Sequence, residues 1–126
     1  MPRTINHIEL LGRIGTEPEM RYTANGTAVT RLRLATDRPT KDGESQTDWH
    51  TIICWSKLAE AVNSYVGKGD RLYVSGRLLY RSYENGEGQK RQVAEVHAQE
   101  VVFLEPRPAG AETTTGEAPT GDDLPF

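Results

Sequence analysis

The sequence predicts a mainly β domain with one helix, followed by an acidic tail without regular structure. Three observations carry this. Apolar and polar residues alternate with period two in successive segments, the mark of strands with one buried face. Between them, Leu58, Val62, Tyr65 and Val66 fall at the i, i+4, i+7, i+8 spacing of a core-facing helical stripe. From Glu105 onward proline, glycine, threonine and acids replace the apolar residues, and such a segment buries too little surface to offset its ordering entropy.

In chain order, residues 5–14 read as a first strand, with Ile8 and Leu10 bracketing Glu9 and Gly12 marking a bulge or bend. Residues 15–19, with Pro18, break it, and an extended segment resumes over 20–23. Asn25-Gly26 predicts a type I′ hairpin turn, in which both residues take positive φ. Residues 27–36 form the next strand, with Thr30, Leu32 and Leu34 on one face and Val29, Arg31, Arg33 and Ala35 on the other. A polar loop over 37–46 leads to a third strand ending at Trp55. Ser56 is the expected helix N-cap, and the glycines of 67–70 its left-handed terminator. Residues 70–80 alternate again, with Leu72, Val74 and Leu78 inward, interrupted at Gly76. Residues 81–90 read as the loop of a protruding hairpin. Residues 91–104 are the last strand, with Val93, Val101 and Phe103 inward and a phase shift near 98–100. Three strands, a helix and two strands, with glycines at the bends, are the elements of the OB fold, a five-stranded Greek-key barrel with a helix between strands 3 and 4, and other mixed β folds share this element count.

The 126 residues suit one domain, expected over 1–104, and a tail over 105–126. Net charge is −3, but the tail holds five acids against Arg107 alone, so residues 1–104 carry +1 and their bases can cluster on one face. The lone Cys54 lies in an apolar strand, cannot form an intramolecular disulfide and points to a reducing compartment. With no leader-like run and no stretch of about 18 apolar residues, an intracellular protein without a membrane segment is expected.

The stretch 47–60, TDWHTIICWSKLAE, draws the strongest functional reading. Trp49, Thr51, Ile53 and Trp55 share one strand face, while His50, Ile52 and Cys54 share the other. Two rings at that spacing lie about 20 Å apart, at roughly 3.3 Å per residue, which suits an extended polymer. Two readings stand: the rings fill the core, as aromatics usually do, or they form a stacking platform. In the tail, Asp122-Asp123-Leu124-Pro125-Phe126 joins two acids to two large apolar groups and a carboxylate. Either these fray, or they form a hook whose apolar groups fill a pocket with a basic rim.

The segments NHIELLGRIGTEPEMRYTANG, LAT, TDWHTIICWSKLAE and the terminal DDLPF resemble the bacterial single-stranded DNA-binding protein family, the SSB proteins, colinearly over essentially the whole chain. The resemblance implies an OB fold, a homotetramer, binding of single strands without sequence preference, and recruitment of replication and repair proteins by residues 122–126. It implies stacking roles for Trp49 and Trp55, and for Tyr83, which stands where members often carry tryptophan. Arg3, Lys57, Lys68 and Arg81 match positions that contact phosphates, joining Arg31 and Arg33 of the basic face. Members often stack a further tryptophan just after LAT; here Thr40 or a neighbour takes that place, leaving Arg38 and Lys41 to supply charge. The tail is also short for the family, with a reach of roughly 25 Å at about 5–6 Å times √n. His50 matches a histidine at a subunit interface, and a plain structural role is the other reading.

Stacking on Trp49, Trp55 and Tyr83 would contribute about 1–3 kcal/mol per base without reading sequence. Phosphate contacts would make affinity fall with salt. His7, His50 and His97 lie on different strands, and no metal-ligand spacing, phosphate loop, nucleophile elbow or carboxylate pair is present. Neither an enzyme, a metal nor a cofactor is expected. The acidic tip would compete in cis with DNA for the basic groove. An OB module for RNA or primosome assembly and a protein-interaction adaptor are the rival functions. A cytoplasmic, nucleoid-associated bacterial protein follows from the resemblance.

Overall fold

The computed structural model describes residues 3–104 and the backbone of residues 114–115. The strands are β1 (Ile8–Ile14), β2 (Glu19–Tyr22), β3 (Ala28–Pro39), β4 (Ser45–Trp55), β5 (Arg71–Glu84), β6 (Lys90–Phe103) and β7 (Thr114–Thr115), with α1 (Ser56–Tyr65) between β4 and β5. β1 and β2 both pair antiparallel with β3, Arg13 opposite Ala35 and Glu19 opposite Arg31. They are two halves of one strand, broken around Pro18 because proline removes a ladder donor. Counted so, the elements follow the expected order of three strands, a helix and two strands.

Pairing closes the sheet on itself. β1 pairs with β5, β5 with β6, and β4 with β3, all antiparallel, while β6 runs parallel to β4 with Glu95 beside Thr51 and His97 beside Ile53. This is the five-stranded barrel of the OB fold. Its interior holds Ile14, Leu32, Leu34, Ile52, Cys54, Leu72, Val74, Val96 and Val101, with Leu58 and Val62 of α1 against one end. Thr30 faces inward and is satisfied there, its hydroxyl donating to the Ala59 carbonyl at 2.7 Å. The helical stripe packs as expected, and Tyr65 reaches Phe103 at 5.9 Å between ring centroids.

Local details depart from expectation for physical reasons. Gly12 makes no bulge, since β1 and β5 stay in register through it; a side chain there would instead collide with the Ala35 carbonyl as β1 passes from β5 to β3. The polar stretches 37–39, 45–46 and 81–84 are strand, not loop, because β3–β4 and β5–β6 continue as two-stranded ribbons held by ladder bonds alone. The turn at Asn25-Gly26 is not type I′: of the two, only Gly26 has positive φ. Thr23, Thr40 and Asn85 each close the same three-residue loop, accepting from Gly26, Gly43 and Gly88 and donating to the carbonyls of Thr27, Glu44 and Gln89. The three glycines lie at φ of 78–83°, the geometry of a type I turn with a G1 bulge.

Ser56 does not cap the helix. Trp55 occupies the cap position in extended conformation with no side-chain cap bond, and Ser56 itself sits at φ 57°, a left-handed strain for a non-glycine residue. At the other end Val66 is extended, and Gly69, at φ 94°, makes the turn. The expected phase shift in the last strand is present: Ser75 faces Glu100 while Gly76 faces Ala98, leaving Gln99 unpaired. The shift puts Val101 in the core and Val93 on the outer face, where an inward position was expected. β7 pairs with Glu100 and Val101 within the stretch read as tail; an edge strand recruits backbone groups, which composition does not report. The acidic tip, Asp122 to Phe126, lies outside the described residues.

Candidate nucleic-acid interface

The outer face of β3 and β4 carries the predicted basic and aromatic residues in register. Arg33 stands opposite Thr51, Arg31 opposite Ile53, Val29 opposite Trp55 and Ala35 opposite Trp49. β5 and β6 continue this face with Arg81 opposite Val93. A groove follows. One pocket of about 350 Å³ is lined by Arg31, Thr51, Arg81, Tyr83, Val93 and Glu95; another of about 430 Å³ shares Arg31 and Thr51 and extends to Arg33 and Thr16.

Trp49 is 49% exposed on this face. The Arg33 guanidinium lies 5.3 Å from its ring centroid, a cation–π contact that orders both groups. Beneath the ring is Gly15, where any Cβ would run into the indole. The interruption after β1 therefore lets a flat ring lie against backbone. Tyr83, 48% exposed near the ribbon end of β5, supplies a second open ring.

Trp55 corrects the two-tryptophan platform. It shares the face of Trp49, as alternation requires, but is only 1% exposed and forms a small second cluster with Val29 and Ile53. Its indole N–H donates to His97 Nδ1 at 3.1 Å, and the two rings stack at 6.2 Å with 28° between planes. In this conformation Trp55 offers no face to a base.

The arginines are likewise not equivalent. Arg31 pairs with Glu19 at 3.3 Å, and Glu19 also pairs with Arg21. Arg81 donates to Glu95 Oε2 at 3.1 Å, and that carboxylate is 2% exposed. Burial alone would raise the Glu95 pKa, but the His97 N–H and the Arg81 charge outweigh it and hold the carboxyl below its usual 4.5. His97 Nε2 stands 3.5 Å from Glu95 Oε1, at the edge of hydrogen-bond reach. Arg38 pairs with Asp48 at 3.1 Å on the β3–β4 ribbon. Arg3, Lys57 and Lys68 are exposed on separate elements, and neither groove pocket is lined by them. His50 faces the opposite side of β4, its Nε2 2.8 Å from the Thr36 hydroxyl.

Glu95, His97 and Gly15 are the site residues that sequence reading missed. Glu95 and His97 share strand parity with Val93, so two polar residues in a face taken as inward were the available signal. No group of three or more His, Cys, Asp or Glu positioned to hold a metal occurs among the described residues. None of the described helices is long and apolar enough to cross a membrane.

A closed OB barrel bearing an open groove of arginines and exposed rings defines a class of oligomer-binding module. Residues 5–104 match the model of the single-strand binding protein family, and the chain belongs to that family. It is 45% identical over 105 residues to the single-stranded DNA-binding protein of Halalkalibacterium halodurans, covering 82% of this chain and 62% of the relative. It is 40% identical over 114 residues to single-stranded DNA-binding protein A of Bacillus subtilis, covering 89% and 66%. The chain thus spans somewhat under two thirds of these relatives' lengths. Its fold superposes on the Plasmodium falciparum SSB solved in complex with ssDNA, with a TM-score of 0.76 and 30% identity, covering 83% of this chain and 99% of that one.

Proposed function

We propose that this chain binds single-stranded DNA without sequence preference and serves replication, recombination and repair as a binding protein and not as an enzyme. The observation that carries this is the half-exposed Trp49 with Arg33 over its ring, Arg33 also lining the groove that continues through Arg31 to Tyr83. Such rings stack on the π face that every base offers, and duplex hides those faces. Arginines among them neutralise phosphates. Arg3, Lys57 and Lys68, outside the groove pockets, are assigned to phosphates by family likeness, as is Arg81.

Residues 1–104 are read as the binding domain and 105–126 as a tail whose tip, Asp122 to Phe126, recruits replication and repair proteins. The family likeness supports a homotetramer with His50 at a subunit contact, working in the bacterial cytoplasm at the nucleoid. The test is titration of intrinsic tryptophan fluorescence with oligo-dT at several salt concentrations, beside duplex of equal length. Stoichiometric quenching by the single strand alone, weakening with salt, is expected. With Trp55 buried, it comes mainly from Trp49. No quenching and no binding by either ligand overturns the reading in favour of an interaction adaptor.

A further inference from the structure

From the groove inward, four side chains from three strands form a chain that ends buried: Arg81 to Glu95, Glu95 to His97, His97 to Trp55. An indole N–H only donates, so His97 Nδ1 must accept. The neutral imidazole then carries its proton on Nε2, which is buried and faces Glu95 Oε1 at 3.5 Å, at the edge of hydrogen-bond reach. This fixes the tautomer. It also means that a proton on Nδ1 and the Trp55 bond exclude one another.

We propose that His97 is a positioning residue for Trp55: by accepting the indole N–H it holds the ring in the groove floor, so that Trp55 stacks on a base only after this bond breaks. The proposal rests on reading the groove as the single-strand site, and it deepens that reading. Ring and groove are already adjacent, since Trp55 shares its strand face with Trp49 and His97 is neighbour to Glu95, which lines the groove pocket. Ser56, strained at φ 57° immediately after Trp55, fits a ring held in place by its surroundings. Loss of the acceptor would leave a buried N–H unpaired, which favours turning the ring out toward water or a base.

The test uses the full chain with Trp49→Phe, leaving Trp55 as the sole tryptophan, and needs no DNA in its first arm. Acrylamide quenching at pH 8 should be weak, and should rise several-fold on adding His97→Phe, which keeps a ring but no acceptor. His97→Gln, which keeps an acceptor, should stay closed and carries the comparison if His97→Phe fails to fold. Equal quenching of the His97 protein and the His97→Phe variant at pH 8, or an open His97→Gln protein, overturns the proposal and leaves His97 a packing group. In a second arm, oligo-dT affinity at fixed salt should rise several-fold in His97→Phe. Absence of dT binding in every variant would instead sink the single-strand reading while the first arm still stands.

Discussion

Arg81 Nη2 lies 3.1 Å from Glu95 Oε2, on a carboxylate only 2% exposed. The cation is therefore engaged before any phosphate arrives, which distinguishes it from an open phosphate contact. Glu95→Gln keeps the volume and removes the charge. It should lower stability by about 1–3 kcal/mol in urea denaturation, because Arg81 loses a buried charged partner. It should also steepen the salt dependence of single-strand binding by about 0.7, the slope of one added phosphate contact. Because the folded-state pKa of Glu95 lies below 4.5, its stabilisation is fully present above pH 4.5 and is lost as pH falls through the lower folded value. The deficit of the variant should accordingly shrink in acid; a deficit constant from pH 7 to pH 3 would refute the charge pairing.

Cys54 is fully buried between β3 and β6, and burial pushes its thiol up to about 12. Only thiolate reacts with disulfide reagents. In folded protein at pH 8, Ellman's reagent should release no thionitrobenzoate within minutes, and one equivalent after guanidinium unfolding. Rapid reaction of the folded chain would show that the barrel opens at β4.

Trp49→Ala should weaken oligo-dT binding by about 1–3 kcal/mol, a factor of roughly 5 to 150 in Kd. The slope of affinity against salt should stay unchanged, because a ring releases no counterions. Anisotropy of a labelled oligonucleotide reads both quantities without depending on tryptophan emission. A changed slope would mean that Trp49 acts by holding Arg33.

Gly15→Val tests the support beneath that ring. A side chain at Gly15 would collide with the Trp49 indole, so the ring must tilt off the groove and lose much of its stacking. Affinity should fall toward that of Trp49→Ala, and the two changes together should cost no more than Trp49→Ala alone. Additive losses in this double-mutant cycle would place the effect of Gly15 elsewhere.

What the sequence discloses depends on how local the cause is. Alternation alone placed Arg31 and Arg33 opposite the apolar face of Leu32 and Leu34, and Leu58 and Val62 on the buried helix stripe, because each pattern spans a few residues. The depth of Trp55 was hidden. Its acceptor, His97, reaches it only through the parallel pairing of β4 with β6, about forty residues apart in the chain, and the same distant strand brings Glu95 to Arg81. Composition makes the ribbons look like loops because a two-stranded ladder has no apolar face to leave a periodic mark. Sequence alone does not separate the two geometries of the turn at Asn25-Gly26 because both need glycine at the same place, and strand register decides between them.

Arg33 and Arg31 occupy alternate positions on one strand face, yet their electrostatic surroundings differ. Arg33 lies over Trp49 and is exposed, whereas Arg31 shares Glu19 with Arg21. A phosphate that contacts Arg33 displaces only solvent and counterions; one that contacts Arg31 must also compete with a carboxylate. On single strands each full phosphate contact contributes about 0.7 to the slope of log affinity against log salt. Arg33→Ala should therefore flatten that slope by about 0.7, with a loss of affinity that grows as salt is lowered. Arg31→Ala should flatten it by clearly less, because part of the Arg31 charge is already balanced by Glu19. Adding Glu19→Gln to the native chain should steepen the slope, and Arg31→Ala on that background should then flatten it as fully as Arg33→Ala does. Equal slopes for the two arginine variants in the native background would show that the Glu19 pair opens freely in the complex and gives no discrimination between them.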